Sequence, residues 1–261
     1  MRQRTHGKVR MKPASDLPDL SPFSEVTTAL LLTVALLAAL LAFHFFPGVD
    51  RAAAALFFDE TACGSAKGAG SVCGFFPAGE MAPMRALRQF LQHLPAACAA
   101  GLAAAALTRL RMGEEFWGPW ALRVGAVFWT YVLSVGLIVN GIFKELWGRP
   151  RPVQTDIFGG PLPFVPAGEI SAYCQSNCSF ISGEAAASAW LICLVALLPR
   201  QYAGLRPFAF AVAAFVAVLT SGLRMSFGGH YLSDVVLASL ATLVVFSLLA
   251  VAAVRFPRTQ S

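Results

Sequence analysis

A chain of 261 residues that is 57% hydrophobic and only 13% charged, with a mean hydropathy of +0.64, lies outside the range of a soluble domain, where about a quarter of residues carry charge. Its net charge of +6 and pI near 9.2 do not indicate a nucleic-acid partner, because the basic residues are scattered between apolar segments and form no stripe or groove. The lipid bilayer is the main partner, and at roughly 20 residues per membrane helix the length suits one bundle domain.

In chain order, residues 1–25 are polar and basic, with Arg2, Arg4, Lys8, Arg10 and Lys12 among three prolines, and read as a cytoplasmic tail. The apolar run from Val26 to Phe46 is too long for the core of a cleavable signal peptide and is expected to stay as the first membrane helix. Further apolar runs at 90–108, 119–143, 181–199, 204–222 and 231–254 each approach the length that crosses about 30 Å of hydrocarbon. Backbone groups in lipid must be bonded within their own segment, and these runs lack the alternation of barrel strands. The expected fold is therefore all-α and polytopic, with six transmembrane helices forming one domain over 26–254 and a short cytoplasmic tail at 255–261. With the first tail inside, twelve of the twenty Lys and Arg residues fall on the inner side, which puts both termini in the cytoplasm.

The outer loop 47–89 carries Cys63 and Cys73, and the outer loop 144–180 carries Cys174 and Cys178. Thiols outside the cytoplasm tend to oxidise, so these four are candidate disulfide cysteines, with the pairing left open. A zinc site would need an all-thiolate set drawn from both loops, since neither contains a histidine. Cys98 and Cys193 lie within spans and read as small buried hydrophobes.

Three polar clusters sit at the outer ends of the third, fourth and sixth predicted helices. In Lys144-Glu-Leu-Trp-Gly-Arg149-Pro-Arg151-Pro152, a lysine at a helix end is followed seven residues on by an arginine held between prolines. Lysine offers a point charge and arginine a planar fork, a combination suited to phosphate. A plain membrane anchor would use the same charges. In Cys178-Ser-Phe-Ile-Ser182-Gly183-Glu184, a small polar turn opens a long apolar helix, whose N-terminus is a ready anion site. The plainer reading is an ordinary helix start capped by Ser182. In Arg224-Met-Ser-Phe-Gly-Gly-His230-Tyr-Leu-Ser-Asp234, the histidine and aspartate are four apart and would share one helix face. A carboxylate on one ring nitrogen would set the tautomer and leave the other as nucleophile or base.

Together these clusters resemble the type 2 phosphatidic acid phosphatase superfamily, whose pattern is Lys-x6-Arg-Pro, then Pro-Ser-Gly-His, then Ser-Arg-x5-His-x3-Asp. The first motif matches in full at Lys144, Arg151 and Pro152. The third matches at Arg224, His230 and Asp234, with Leu223 in place of serine. The second reads Ile181-Ser182-Gly183-Glu184, so its proline and histidine are replaced. The resemblance implies a membrane lipid phosphatase needing no metal or cofactor, in which His230 attacks phosphorus to form a phosphohistidine and Asp234 orients the ring. It further implies that Lys144, Arg151, Ser182, Gly183 and Arg224 hold the phosphate oxygens, where charge stabilisation does most of the work of phosphoryl transfer. The family's histidine that protonates the leaving oxygen and later activates water is Glu184 here. Burial favours the protonated carboxyl needed for that role, and the neighbouring cations oppose it. His93 is the alternative proton donor, though a lone histidine beside Pro95 is more simply a packing residue.

By the same resemblance the protein is expected in a bacterial inner membrane with its site facing the periplasm. A lipid A-type or glycerophospholipid phosphate monoester is the leading substrate, and polyprenyl diphosphate is an alternative. Two other readings stand beside hydrolysis. One is a phosphotransferase that passes the phosphate to a lipid hydroxyl. The other is a silent lipid-phosphate binder or transporter, which would be expected to show paired repeats and broken helices, absent from this sequence.

Overall fold

The structure is a computed structural model and describes residues 19–63 and 72–255. Most of the expected basic tail, residues 1–18, and residues 256–261 of the second tail lie outside the described residues. The helices run α1 (Val26–Phe45), α2 (Gly48–Ala55), α3 (Ala82–Arg111), α4 (Pro119–Thr130), α5 (Lys144–Leu146), α6 (Gly183–Cys193), α7 (Arg206–Ser226) and α8 (Leu232–Arg255). Two short strands, β1 (Asp59–Glu60) and β2 (Gly74–Phe75), pair antiparallel with Asp59 opposite Phe75. The chain is an all-α polytopic membrane protein.

Among the described residues, five helical stretches are long and apolar enough to cross a bilayer: Val26–Phe45, Ala82–Arg111, Pro119–Leu146, Gln201–Ser226 and Leu232–Arg255. The stretch expected as the remaining span, 181–199, is a shorter apolar helix over Gly183–Leu197. Its position explains the length. Every residue of α6 except Glu184 is buried, with α3, α7 and α8 packed around it. A helix sheathed in protein does not need an apolar surface reaching both interfaces. The run Ala185-Ala-Ala-Ser-Ala189 keeps its backbone close to its neighbours, as small residues do between membrane helices. Trp190, fully buried, donates its indole N–H to the Val127 carbonyl at 2.7 Å, and the Tyr131 ring meets it edge-on at 4.9 Å. α1 is peripheral: Leu30, Leu31, Val34, Leu37 and Leu41 are all exposed, the pattern of a lipid-facing helix rather than an aqueous one.

Between α4 and α5 the helix widens into a π-helical stretch, Tyr131–Phe143. Such stretches often occur at functional sites. Asn140 donates to the Val135 carbonyl at 2.7 Å, and the widened turns bring both Asn140 and Lys144 against Gly183 at the start of α6.

The predicted loop 47–89 is more structured than expected. It contains α2 and the small hairpin, and α3 begins at Ala82, with Pro83 in the first turn. The Cys63–Cys73 disulfide closes the hairpin, and a second disulfide joins Cys174 to Cys178. Residues 147–182 cross the same end of the bundle and are tied down by backbone bonds. Cys178 N–H donates to Lys144 O, Ser179 N–H to Arg149 O, Ser182 N–H to Asp234 O and Val153 N–H to Gly228 O. These bonds bring the three sequence clusters to one place.

Candidate active site

His230 is buried in the turn between α7 and α8 and is not helical. The expectation that it shares a helix face with Asp234 is therefore corrected: α7 ends at Ser226, Gly228 turns the chain with φ of +61°, and α8 begins only at Leu232. Asp234 lies in the first turn and its Oδ2 accepts the Tyr231 backbone N–H at 2.9 Å, satisfying a donor that a helix start leaves open. The nearest carboxylate oxygen is 3.7 Å from His230 Nδ1, an ion-pair distance rather than a hydrogen bond. Instead Nδ1 lies 2.8 Å from the Ser179 carbonyl. A carbonyl oxygen can only accept, so Nδ1 carries the proton and a neutral ring presents Nε2 as its lone pair. Asp234 acts on this arrangement through Ser179, whose hydroxyl donates to Oδ2 at 2.5 Å. Burial lowers the His230 pKa to about 4, helped by the charges of Arg224 and Arg151 and opposed by Asp234.

Behind the histidine is a closed network. Arg149, fully buried, donates from Nη1 to Asp234 Oδ1 at 2.7 Å and to Ser233 Oγ at 2.8 Å. It donates from Nη2 to Asp50 Oδ2 at 2.8 Å and from Nε to the Val165 carbonyl at 2.8 Å. Asp50, on α2, also accepts the Ser233 N–H at 2.8 Å and hydroxyl at 2.6 Å. Burial raises the Asp50 pKa, but three donors directed at its two oxygens fit the ionised form. Burial alone would weaken the Arg149 charge, and Asp234 and Asp50 more than offset it. The Arg149 guanidinium also lies over the Tyr231 ring, 4.4 Å from its centre.

In front of the histidine the donors outnumber the acceptors. Arg224 is buried, and its Nε has no hydrogen-bond partner while lying 3.3 Å from Glu184 Oε1. A Cβ on Gly229 would lie 2.6 Å from Arg224 Nη2, so the absence of a side chain there lets the guanidinium pack on the backbone. A Cβ on Gly183 would lie 2.9 Å from Asn140 Oδ1 and 3.3 Å from Lys144 Nζ, so both side chains close directly onto the backbone at the start of α6. Ser182 caps that helix, its Oγ accepting from Ala185 N–H at 3.3 Å, which leaves its hydroxyl proton to donate elsewhere. Arg151 is held by three bonds to Asn177, two to the carbonyl and one to Oδ1, inside the turn that the Cys174–Cys178 bond closes. Its own burial and then the charge of Arg88 lower its pKa. Glu184 accepts from Arg88 on both oxygens, at 2.6 and 3.2 Å.

His230, Asp234, Glu184, Arg224, Lys144, Ser182 and Gly183 thus come together, with Arg151 beside them. His93 is exposed on α3. Asp50, Arg88, Arg149, Ser179 and Ser233 were not picked out as site residues by sequence. Arg149 carried a signal, as a second arginine-proline pair just before the motif arginine. Asp50 carried a weaker one, as a lone acid in an alanine-rich stretch after a span.

Known proteins resemble this chain over most of its length. Residues 123–258 match the PAP2 superfamily. The chain is 42% identical over 213 residues to a lipid A 4'-phosphatase of Rhizobium leguminosarum, covering 81% of this chain and 90% of that protein. It is 43% identical over 215 residues to a lipid A 4'-phosphatase of Rhizobium etli, covering 81% and 82%. A lipid A 4'-phosphatase of Francisella tularensis subsp. novicida is 42% identical over 132 residues, covering 48% and 58%. No solved structure matches the chain.

Proposed function

Since this chain belongs to the PAP2 superfamily and is a bacterial membrane lipid phosphatase, we propose that it removes the 4'-phosphate of lipid A through a phosphohistidine on His230. The His230 geometry carries the mechanistic part. With Nδ1–H given to the Ser179 carbonyl, Nε2 is the atom left to attack phosphorus. Lys144, Arg151 and Arg224, with the Ser182 hydroxyl and the Gly183 N–H, take the equatorial oxygens as negative charge redistributes in the transition state. Asp234 keeps Ser179, and so the ring, in place. The substrate class is supported by the likeness to lipid A 4'-phosphatases over most of the chain.

The site faces the periplasm in this reading. Both disulfides lie at the same end of the bundle as the site, and such bonds persist in an oxidising compartment. The positive-inside bias points the same way.

The test uses purified protein and lipid A labelled with 32P at the 4'-position, with phosphatidic acid and polyprenyl diphosphate as rivals. Release of the label as inorganic phosphate, and a base-stable, acid-labile label on wild-type protein but not on His230→Ala, are the expected results. Label moving to an acceptor lipid would make the protein a transferase. Turnover by His230→Ala would remove the nucleophile assignment.

A further inference from the structure

The glutamate that replaces the family's histidine has a partner 96 residues earlier in the chain. Arg88 lies in the second turn of α3, outside the segment that matches the family, and grips both oxygens of Glu184 with Nη2 and Nε. Arg224 approaches the same carboxylate from the other side. A carboxylate engaged by two guanidiniums is arranged as an acceptor, not as a donor of a proton. The contact occupies one edge of the Arg88 fork. Its Nη1 makes no hydrogen bond among the described residues.

Exposure locates Arg88 relative to the reaction. The side chains are 2% exposed at His230, 5% at Arg224, 16% at Glu184 and 31% at Arg88. The nucleophile is thus at the closed end and Arg88 at the mouth. In-line displacement puts the leaving oxygen opposite the attacking nitrogen. A lipid phosphate enters phosphate first, so its ester oxygen points back toward the mouth. Arg88 and Arg151 are also close enough for their charges to oppose each other, an arrangement that an incoming anion relieves.

We propose that Arg88 is a catalytic residue that stabilises the negative charge on the leaving ester oxygen, and that Glu184 is the anchor that aims it. The proposal rests on His230 as nucleophile. The Nε2 lone pair forms the N–P bond as the P–O bond breaks, and that electron pair goes to the lipid oxygen, whose charge faces the Arg88 guanidinium. The alkoxide takes a proton from water at the mouth. The hydroxide so formed attacks phosphorus, the N–P pair returns to Nε2, and hydrogen phosphate leaves. Arg88 thus supplies by charge what a proton donor would supply by transfer.

The experiment compares two substrates of equal chain length in mixed micelles: an alkyl phosphate with a poor leaving group, and an alkyl-substituted nitrophenyl phosphate with a good one. Arg88→Ala is expected to lose about 10²–10³-fold in kcat/KM on the alkyl ester and at most about tenfold on the aryl ester, since only the poor leaving group needs the charge. Glu184→Ala should show the same pattern, and the double variant should be no worse than either, as for residues acting as one unit. Glu184→Gln keeps an acceptor for Arg88 and should lose less than Glu184→Ala. Thermal stabilisation by orthovanadate reports whether each variant keeps a folded phosphate site, and Arg88→Lys serves if the alanine variant does not. Equal losses on both substrates would overturn the proposal. So would Glu184→Gln falling as far as Glu184→Ala while Arg88→Ala stays within twofold of wild type. Failure of the underlying reading would appear separately, as turnover by His230→Ala.

Discussion

The two sides of His230 are built on opposite principles. Behind it, Asp50, Arg149, Ser179, Ser233 and Asp234 are fully buried, and each is hydrogen-bonded within the group, with Arg149 bridging the two carboxylates. In front, Arg88, Lys144, Arg151 and Arg224 converge on a mouth where the bonded network supplies one carboxylate, Glu184. The rear is held together by its own bonds, so it can fix the angle and tautomer of the His230 ring. The front is short of negative charge, which is what a phosphate brings. On the proposed reading, stability therefore rests on the rear and phosphate binding on the front.

Breaking the rear should have the largest effect. Arg149→Ala leaves Asp50 and Asp234 buried without their shared cation, and removing one partner of a buried ion pair costs about 3–5 kcal/mol. Thermal unfolding in detergent should show a large drop in midpoint along with loss of phosphate release. A variant as stable as wild type would mean that the network is not the rigid half. Breaking the front should separate the two properties. Arg224→Ala is expected to lose about 10²–10³-fold in phosphate release, with a much smaller fall in unfolding midpoint than Arg149→Ala, because Arg224 Nε has no hydrogen bond to lose and Glu184 keeps its pairing with Arg88. A midpoint well below wild type would assign Arg224 to the structural half.

The smallest effect is a titration that reads both halves at once. With its pKa lowered to about 4, the His230 ring stays neutral from pH 7 down through its ordinary value near 6.5, and takes a proton only as pH falls through about 4. Histidine-selective 15N NMR of the free protein should find the Nε2 signal unchanged at pH 6 and titrating near 4. Protonation removes the nucleophile, so activity is lost on the acid side. The Arg224 charge lowers this value, so Arg224→Ala should move the titration toward higher pH. A wild-type ring titrating near 6.5 would mean that neither burial nor the frontal cations act on it.

Much of this protein is legible in its sequence where the causes are local. Runs of apolar residues specify membrane helices because backbone in lipid has no other way to satisfy itself. The spacings that join Lys144 to Arg151 and Arg224 to His230 and Asp234 survive folding because each lies within a short turn and the helix ends that flank it. The run 181–199 folds as a shorter apolar helix over Gly183–Leu197 for a related reason. Hydropathy reports that a segment avoids water, and a helix sheathed in protein does so as completely as one in lipid. The His230–Asp234 pair illustrates the same limit. Spacing alone puts them on one face, while the Gly228 turn and the capping of α8 insert Ser179 between their roles.

Length, composition and three short motifs by themselves determined the membrane class, the all-α fold and the family, and singled out His230 and the cations Lys144, Arg151 and Arg224 as candidates. Only the tertiary structure decided which partners complete them. Asp50 meets Arg149 across 99 residues, and Arg88 meets Glu184 across 96. Neither pairing has a spacing to read, because long-range pairs are selected by the packing of helices and by the cost of leaving a buried charge alone. That cost explains why Arg149 is locked between two aspartates, and why the glutamate in place of the family's histidine is held by an arginine from another helix.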